Sequence, residues 1–115
     1  KGGSIVNLSS GAAKYGSPGE YVDYAASKAA IDTLTIGLAR EVAEEGIRVN
    51  AVRPGFIDTE IHQSGGESDR MERVRPLVPM KRVGQAEEVA DAIMWLLSDK
   101  ASYITGTILD VSGGR

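Results

Sequence analysis

The feature that most constrains the fold is a Pro-free, Ala-rich segment from Val22 to Glu44. Apolar residues recur in this segment at intervals of three and four, as one face of an amphipathic helix requires: Ile31, Leu34, Leu38 and Val42. Gly46 follows where a C-cap glycine is typical, which indicates that the helix ends there. We therefore expect one long helix to be the longest element of the chain.

Short runs of branched residues predict three strands around this helix. Ile5 to Leu8 ends at Ser9-Ser10-Gly11, Ile47 to Val52 is closed by Arg53-Pro54-Gly55, and Thr107 to Val111 follows Gly106. A second helix is expected from Glu87-Glu88 onward, with an apolar stripe that contains Val89, Ile93, Leu96 and Leu97. This alternation of strands and helices predicts an α/β fold with a parallel sheet joined by right-handed crossovers.

Two segments between these elements lack periodic apolar residues. Lys14 to Glu20 is expected to be a loop, because it contains Gly16, Pro18 and Gly19. Thr59 to Pro79 is polar and interrupted, and we interpret it as a long excursion with one short helix that serves as a lid over a site. Met80 and Trp95 are expected in the core.

Composition narrows the class of function. A formal charge of −3 spread over 115 residues, with both signs mixed, argues against nucleic acid as a partner, and the absence of cysteine excludes disulfides and thiolate metal sites. No apolar run approaches the roughly 20 residues that span a bilayer, so we expect a cytoplasmic protein without membrane contact. His62 is the only histidine, and a lone histidine predicts no metal site.

Tyr24 and Lys28 are candidates for proton transfer. They lie one helical turn apart, so their side chains meet on one face, where an ammonium group stabilises a phenolate and makes the phenol a better proton donor. A chance Tyr-x-x-x-Lys is a common alternative in a chain with four tyrosines. Ser10 follows a predicted buried strand, where ligands bind in open α/β sheets, although Ser9 and Ser10 also suit simple strand termination.

A set of motifs resembles the classical short-chain dehydrogenase/reductase family. The motifs occur in the family's order and cover nearly all of the chain: Asn7-Leu8-Ser9-Ser10, Tyr24-Ala25-Ala26-Ser27-Lys28, Arg48 to Gly55, Tyr103-Ile104-Thr105-Gly106, Asp110 and Gly113-Gly114. The resemblance implies the last three strands and helices of a Rossmann-type doubly wound sheet. It also implies an NAD(P)(H)-dependent oxidoreductase that acts on a secondary alcohol or its ketone. Within the family, the chain most resembles members of the sugar-dehydrogenase or oxoacyl-reductase type.

The resemblance assigns roles to individual residues. Ser10 would polarise the substrate oxygen, Tyr24 would exchange its proton, and Lys28 would bind the nicotinamide ribose and tune Tyr24. The segment with Pro54, Gly55, Ile57 and Thr59 would contact the nicotinamide amide and a nearby phosphate of NAD or NADP. Pro54-Gly55 also suits an ordinary turn.

The Gly-rich strand-to-helix turn that holds a dinucleotide's pyrophosphate does not occur in these 115 residues. Residue 1 is Lys, and a strand-like run begins only a few residues later, so we expect residues 1–115 to be the C-terminal portion of a single dehydrogenase domain. By themselves they are expected not to turn over substrate.

The resemblance also implies a homodimer or homotetramer in which the long helix packs against its counterpart. The Ala-rich second face of this helix supports that arrangement: Ala25, Ala26, Ala29 and Ala30. The alternative function is a non-catalytic interaction module of the same fold, which would bind a protein partner through its open sheet edge.

Overall fold

A parallel three-stranded sheet is the centre of the fold. The computed structural model describes residues 2–59 and 68–115. Strands β1 (Gly3–Leu8), β2 (Ile47–Pro54) and β5 (Ile108–Val111) are arranged in the order β1-β2-β5. Ala51 is paired with both Asn7 and Ile108, so β2 is the central strand. The predicted parallel α/β architecture is confirmed.

Helices cover both faces of this sheet. The α-helices are α1 (Ala12–Tyr15), α2 (Val22–Val42), α3 (Ser68–Val74) and α4 (Ala86–Leu97), and short 3₁₀ turns follow the last three of these at Ala43–Glu45, Arg75–Leu77 and Asp99–Ala101. Within the described ranges, no helix combines the length and the hydropathy needed to cross a bilayer.

Two polar contacts show which helix covers which face. Asn7 Nδ2 donates to Thr35 Oγ1 of α2 at 3.0 Å, whereas Ser4 Oγ donates to the Leu96 carbonyl oxygen of α4 at 3.3 Å. Because side chains alternate along a strand, these odd and even positions of β1 point to opposite faces. The sheet therefore lies between α2 and α4.

The core is centred on β2. Val49, Ala51 and Val52 are fully buried, as is Leu96 of α4. Asn50 is buried as well, but its amide is satisfied, since Nδ2 donates to the Ile104 carbonyl oxygen at 3.1 Å and Oδ1 accepts from the Thr107 N–H at 3.0 Å. A buried amide satisfied in this way fixes the loop that leads into β5.

A second, two-stranded sheet was not predicted from the sequence. Strand β3 (Ile57–Asp58) pairs in parallel with β4 (Gly84–Gln85). Two residues are too few to show strand periodicity in a sequence. This pairing connects the segment after Gly55 to the start of α4.

The buried face of α2 differs from the predicted apolar stripe. Leu34 is 60% exposed, and the buried residues of the helix are Ala25, Thr35 and Ala39. Ala25 and Ala39 let the helix axis approach the sheet closely, while Ile31, Leu38 and Val42 of the predicted stripe are partly buried. The predicted helix end is confirmed, because Gly46 adopts a left-handed conformation with φ of 76°.

Three further expectations are corrected. The predicted loop from Lys14 to Glu20 begins inside α1, because the Ala12 N–H donates to Ser10 Oγ and a left-handed Gly16 ends the helix only after Tyr15. Met80 and Trp95 are 59% and 42% exposed and do not belong to the core. Strand β2 also continues through Arg53 and Pro54, since β5 provides pairing partners for both.

Helix α4 begins at a capping box that also carries an ion pair. Gln85 and Glu88 cap reciprocally, and the Gln85 N–H donates to Glu88 Oε1 at 3.0 Å. Arg82 donates to both carboxylate oxygens at 2.8 Å. These bonds lower the pKa of Glu88 from 4.5 to about 2, and hydrogen bonding with Arg82 makes the largest contribution.

We predict that Glu88→Gln destabilises the protein at neutral pH and has a smaller effect in acid. Gln keeps the capping acceptor but removes the charge that pairs with Arg82. Because the folded-state pKa is depressed, the stabilisation is complete above the unfolded pKa of 4.5 and is lost as pH falls toward about 2. The measurement is the urea midpoint of both proteins across this range.

Glu87→Gln controls for removal of a charge from the same helical turn. A difference between wild type and Glu88→Gln that persists unchanged through the acid range would contradict the assignment of the ion pair.

Candidate active site

A cavity of about 600 Å³ opens beyond the carboxyl ends of β1 and β2. Its walls come from the segment after β1, the end of β2 and the start of α2; they include Ser10, Gly11, Tyr21, Tyr24, Pro54, Gly55, Phe56 and Ile57. Ligands of open parallel sheets bind at this edge. The cavity is therefore the candidate active site.

The two serines after β1 have different environments. Ser9 is buried, and its hydroxyl group donates a hydrogen bond to the Lys28 carbonyl oxygen at 3.4 Å. Ser10 lines the cavity, and its Oγ accepts from the Ala12 N–H at 3.1 Å. This bond occupies an acceptor position of Ser10 and leaves the hydroxyl hydrogen available for a ligand.

Tyr24 and Lys28 meet as their spacing predicts. Tyr24 is 45% exposed and borders the cavity, and its ring makes an edge contact with Tyr21 at 6.4 Å between centroids. Lys28 Nζ lies 5.7 Å from the centroid of the Tyr24 ring and donates to the Leu8 carbonyl oxygen at 3.1 Å. The structure thus brings Ser10 and Tyr24 to one cavity, with Lys28 behind the phenol and outside the cavity wall.

The expected cofactor segment lies partly at this cavity. Pro54, Gly55 and Ile57 line it, whereas Thr59 does not. The backbone is held from both sides, since the Gly11 N–H donates to the Pro54 carbonyl oxygen at 2.9 Å and the Gly55 N–H donates to the Val111 carbonyl oxygen at 3.0 Å.

Comparison with known proteins agrees with this geometry. The family model described as Enoyl-(Acyl carrier protein) reductase matches residues 1–115. The chain belongs to the short-chain dehydrogenase/reductase family. It is 69% identical over 114 residues to the uncharacterized oxidoreductase YgfF of Escherichia coli, which covers 99% of this chain and 46% of that protein.

Two further relatives are named as 3-oxoacyl-[acyl-carrier-protein] reductases. The 3-oxoacyl-[acyl-carrier-protein] reductase FabG of Thermotoga maritima is 46% identical over 114 residues, covering 99% of this chain and 46% of that protein. A crystal structure of the 3-oxoacyl-[acyl-carrier protein] reductase from Brucella melitensis superimposes with a TM-score of 0.88 at 44% identity, over 96% of this chain and 41% of that one. The chain thus spans about half the length of the curated relatives it matches, and its Rossmann-type fold is confirmed.

Several cavity residues of this family member were not assigned to the site from the sequence. Tyr15 is half-exposed and lines the cavity, and Phe56 and Arg115 line it as well. The Arg115 guanidinium lies 4.4 Å from the Tyr15 ring centroid and 4.7 Å from that of Phe56. No local pattern joins these three residues, because only the fold brings their segments together.

Part of the predicted lid also contributes to the wall. Arg70 and Met71 of α3 line the cavity, and Met71 is buried. His62 and the rest of residues 60–67 lie outside the described residues. In residues 2–59 and 68–115, no three acidic, His or Cys side chains are grouped as metal ligands would be.

A charged cluster lies beside the cavity, on the face of the sheet that α2 covers. Arg53 Nε donates to Asp110 Oδ1 at 2.8 Å and Nη2 donates to Asp110 Oδ2 at 3.1 Å, while Nη1 lies 3.5 Å from Asp32 Oδ2. The hydrogen bonds from Arg53 lower the pKa of Asp110, and Asp110 in turn raises the pKa of Arg53. Sequence reasoning did not find this cluster, although Arg53 directly precedes Pro54-Gly55.

We predict that Gly55→Ala disrupts this end of the sheet. A Cβ on residue 55 would lie 2.9 Å from the Ser112 Cβ and 3.1 Å from its Cα, so one of the two strand ends must move. Such overpacking should lower the free energy of unfolding by about 1–3 kcal/mol. Chemical denaturation of the purified variant measures the loss.

The matched control is Gly3→Ala, which adds the same methyl group where nothing lies within 4 Å. Ser112→Gly in the Gly55→Ala background should recover part of the loss, because it removes the nearer contact atom. Equal stability of the Gly3 and Gly55 variants would show that Gly55 is not needed for this close approach.

Proposed function

We propose that the protein is an NAD(P)(H)-dependent oxidoreductase that transfers hydride between a nicotinamide cofactor and a secondary alcohol or its ketone. The observation that carries this proposal is the presence of Ser10 and Tyr24 on one cavity, with Lys28 Nζ 5.7 Å from the Tyr24 ring centroid. The relatives named as 3-oxoacyl reductases support the ketone or secondary alcohol as the reacting group.

Ser10 and Tyr24 handle the substrate oxygen. Ser10 donates its hydroxyl hydrogen to that oxygen, because the Ala12 N–H already occupies an acceptor position of Oγ. Tyr24 gives its phenolic proton to the oxygen when a ketone is reduced, and it takes a proton back when an alcohol is oxidised. Two groups on one oxygen fix its position and supply the proton in the same geometry.

Lys28 acts on Tyr24 and on the ribose of the cofactor. Its ammonium group lies 5.7 Å from the centroid of the Tyr24 ring, where it would stabilise negative charge that develops on the phenol oxygen during proton transfer. Its bond to the Leu8 carbonyl oxygen uses one of three N–H donors and anchors the side chain at the end of β1. The other donors suit the hydroxyl groups of a nicotinamide ribose.

The residues present fit the nicotinamide end of NAD or NADP. Pro54, Gly55 and Ile57 border the same cavity as Ser10 and Tyr24, so a ring lying against them would face the substrate oxygen. Thr59 lies two residues beyond Ile57 and would contribute its hydroxyl group to the nicotinamide amide or a phosphate. When bound, the cofactor supplies or accepts the hydride.

We also infer that residues 1–115 are the C-terminal, catalytic half of a dehydrogenase domain. They span 46% of the length of the relatives YgfF and FabG, and they contain no Gly-rich turn for a pyrophosphate. In the described residues, β1 pairs only with β2, so its other edge has room for a further strand. The protein's activity therefore needs residues beyond these 115.

An oligomer is proposed through the outward face of α2. Ala26 and Ala30 are exposed there beside Leu34, whereas Ala25 is buried within its own subunit. Small residues around one large apolar side chain allow two helices to approach closely. A dimer or tetramer built on this face would bury Leu34.

We predict that Ala30→Arg dissociates this oligomer. The longer, charged side chain would hold the two helices apart and require burial of an unpaired charge. Size-exclusion chromatography with light scattering of the intact protein should show a smaller species. Glu44 is also exposed and lies beyond the end of α2, so the control Glu44→Arg should leave the mass of the oligomer unaltered. An unchanged mass for Ala30→Arg would exclude this interface.

We predict that Tyr24→Phe lowers kcat of the intact protein by roughly 10²–10⁴-fold, because it removes the proton donor and little else. Ser10→Ala and Lys28→Met should lower kcat as well. The assay follows oxidation of NADH and of NADPH with a panel of ketones.

Tyr103→Phe removes a phenol hydroxyl from a fully exposed ring outside the cavity and should retain wild-type rates. Wild-type rates in Tyr24→Phe would refute the role of Tyr24. No cofactor oxidation by the wild-type protein would favour the non-catalytic interaction module instead.

A further inference from the structure

Arg53 touches both the helix that carries Tyr24 and the strand next to the candidate cofactor segment. Its side chain is 20% exposed, and that of Asp32 is 13% exposed. One edge of the guanidinium makes a two-bond fork with Asp110 of β5, and Nη1 faces Asp32 of α2 at 3.5 Å. One side chain thus connects α2, β2 and β5.

The two partners of Arg53 occupy informative positions. Asp32 lies one turn beyond Lys28 and two turns beyond Tyr24, on the same side of α2. Asp110 is the direct cross-strand partner of Arg53, and the next residue, Val111, accepts the Gly55 N–H. Arg53 therefore connects the helix that carries Tyr24 to the strand end that carries Gly55. A shift of its side chain would change the distance between the Tyr24 phenol and Gly55.

The chemistry of the cluster favours a fixed geometry. A guanidinium is planar and binds a carboxylate in a two-bond fork, which a lysine cannot reproduce. Asp32 Oδ1 is buried and has no hydrogen-bond partner among the described residues. Arg53 is therefore the ion-pair partner of the Asp32 carboxylate, and a displaced helix would leave this part-buried group uncompensated.

We propose that Arg53 is a positioning residue that holds α2, with Tyr24 and Lys28, at a set distance from Pro54 and Gly55. The proposal rests on the proposed oxidoreductase function. Arg53 does not line the cavity and acts through the two elements that it joins. Its contribution is to the alignment of proton donor and cofactor segment, where a misplacement of about 1 Å lowers a rate by roughly 100-fold.

Arg48 provides a matched comparison on the same strand. It lies at the opposite end of β2, where its guanidinium donates to the carbonyl oxygens of Ile104 at 3.2 Å and Ser98 at 3.1 Å. Removing it should destabilise the protein without moving the site. Arg48→Met is therefore a control for the loss of stability that follows from removing a part-buried arginine far from the site.

The first measurement needs neither substrate nor cofactor. Hydrogen–deuterium exchange of the intact protein is followed in peptides that cover residues 22–32 and 55–59. We expect faster exchange in both for Arg53→Met and for Asp32→Asn, and unchanged exchange there for Arg48→Met. Unchanged exchange in the Arg53 and Asp32 variants would overturn the proposal whatever the activity of the protein.

The second measurement is kinetic. With a ketone that wild type reduces, Arg53→Met should lower kcat by roughly 10–100-fold at a temperature where it remains folded. Asp32→Asn, which keeps the side-chain shape, should lower kcat in the same direction and provides the test if Arg53→Met fails to fold. Arg53→Lys should recover little, because the fork is lost, and Arg48→Met should keep kcat within about twofold of wild type.

The outcomes separate this proposal from the proposed function. Equal kcat in wild type, Arg53→Met and Asp32→Asn would overturn the positioning role and leave the oxidoreductase intact. Equal losses in Arg48→Met and Arg53→Met would also overturn it, because the effect would then be one of general stability. An inactive wild type would overturn the oxidoreductase, and the exchange measurement would still decide whether Arg53 holds α2 to the strand end.

Discussion

Parallel pairing of β2 with both of its neighbours is the constraint on which the site depends. The ladder continues past the strands, since the Ser9 N–H donates to the Val52 carbonyl oxygen at 2.8 Å and the Gly11 N–H donates to that of Pro54 at 2.9 Å. On the other side the Gly55 N–H donates to Val111. Backbone bonds therefore set the positions of the segments that present Ser10 and Gly55.

Helix α2 needs a different kind of restraint, because it has no backbone bonds to the sheet. Ala25 and Ala39 let it approach closely, but methyl groups alone specify its position weakly. Directional polar contacts supply the specificity along its length: Thr35 to Asn7, Lys28 to the Leu8 carbonyl oxygen and Asp32 to Arg53. Two of these three contacts use residues within two turns of Tyr24, so the rotation of the helix is fixed most firmly near the phenol.

The sequence predicted the parts of this arrangement that depend on local patterns. The three main strands, the long helix and its end at Gly46 follow from periodicity and glycine conformation. Ser10, Tyr24 and Lys28 could be selected because strand end and helical spacing are both visible in a sequence, and their catalytic roles stay a prediction. Leu34 was placed on the buried face wrongly, because periodicity identifies an apolar stripe but does not show which of its members contact the sheet. The pair of Arg53 and Asp32 was missed, since 21 positions separate its members and only tertiary structure joins them.

The residues that line the cavity fall into two groups, those placed by the paired strands and those placed by the short helices. Ser10, Pro54 and Gly55 are placed by the sheet, so their geometry is insensitive to changes elsewhere on the cavity wall. Tyr15, Arg70 and Met71 come from α1 and α3, which are not part of the three-stranded ladder. In the proposed oxidoreductase, substitutions in these walls would therefore alter which substrate fits without moving Ser10.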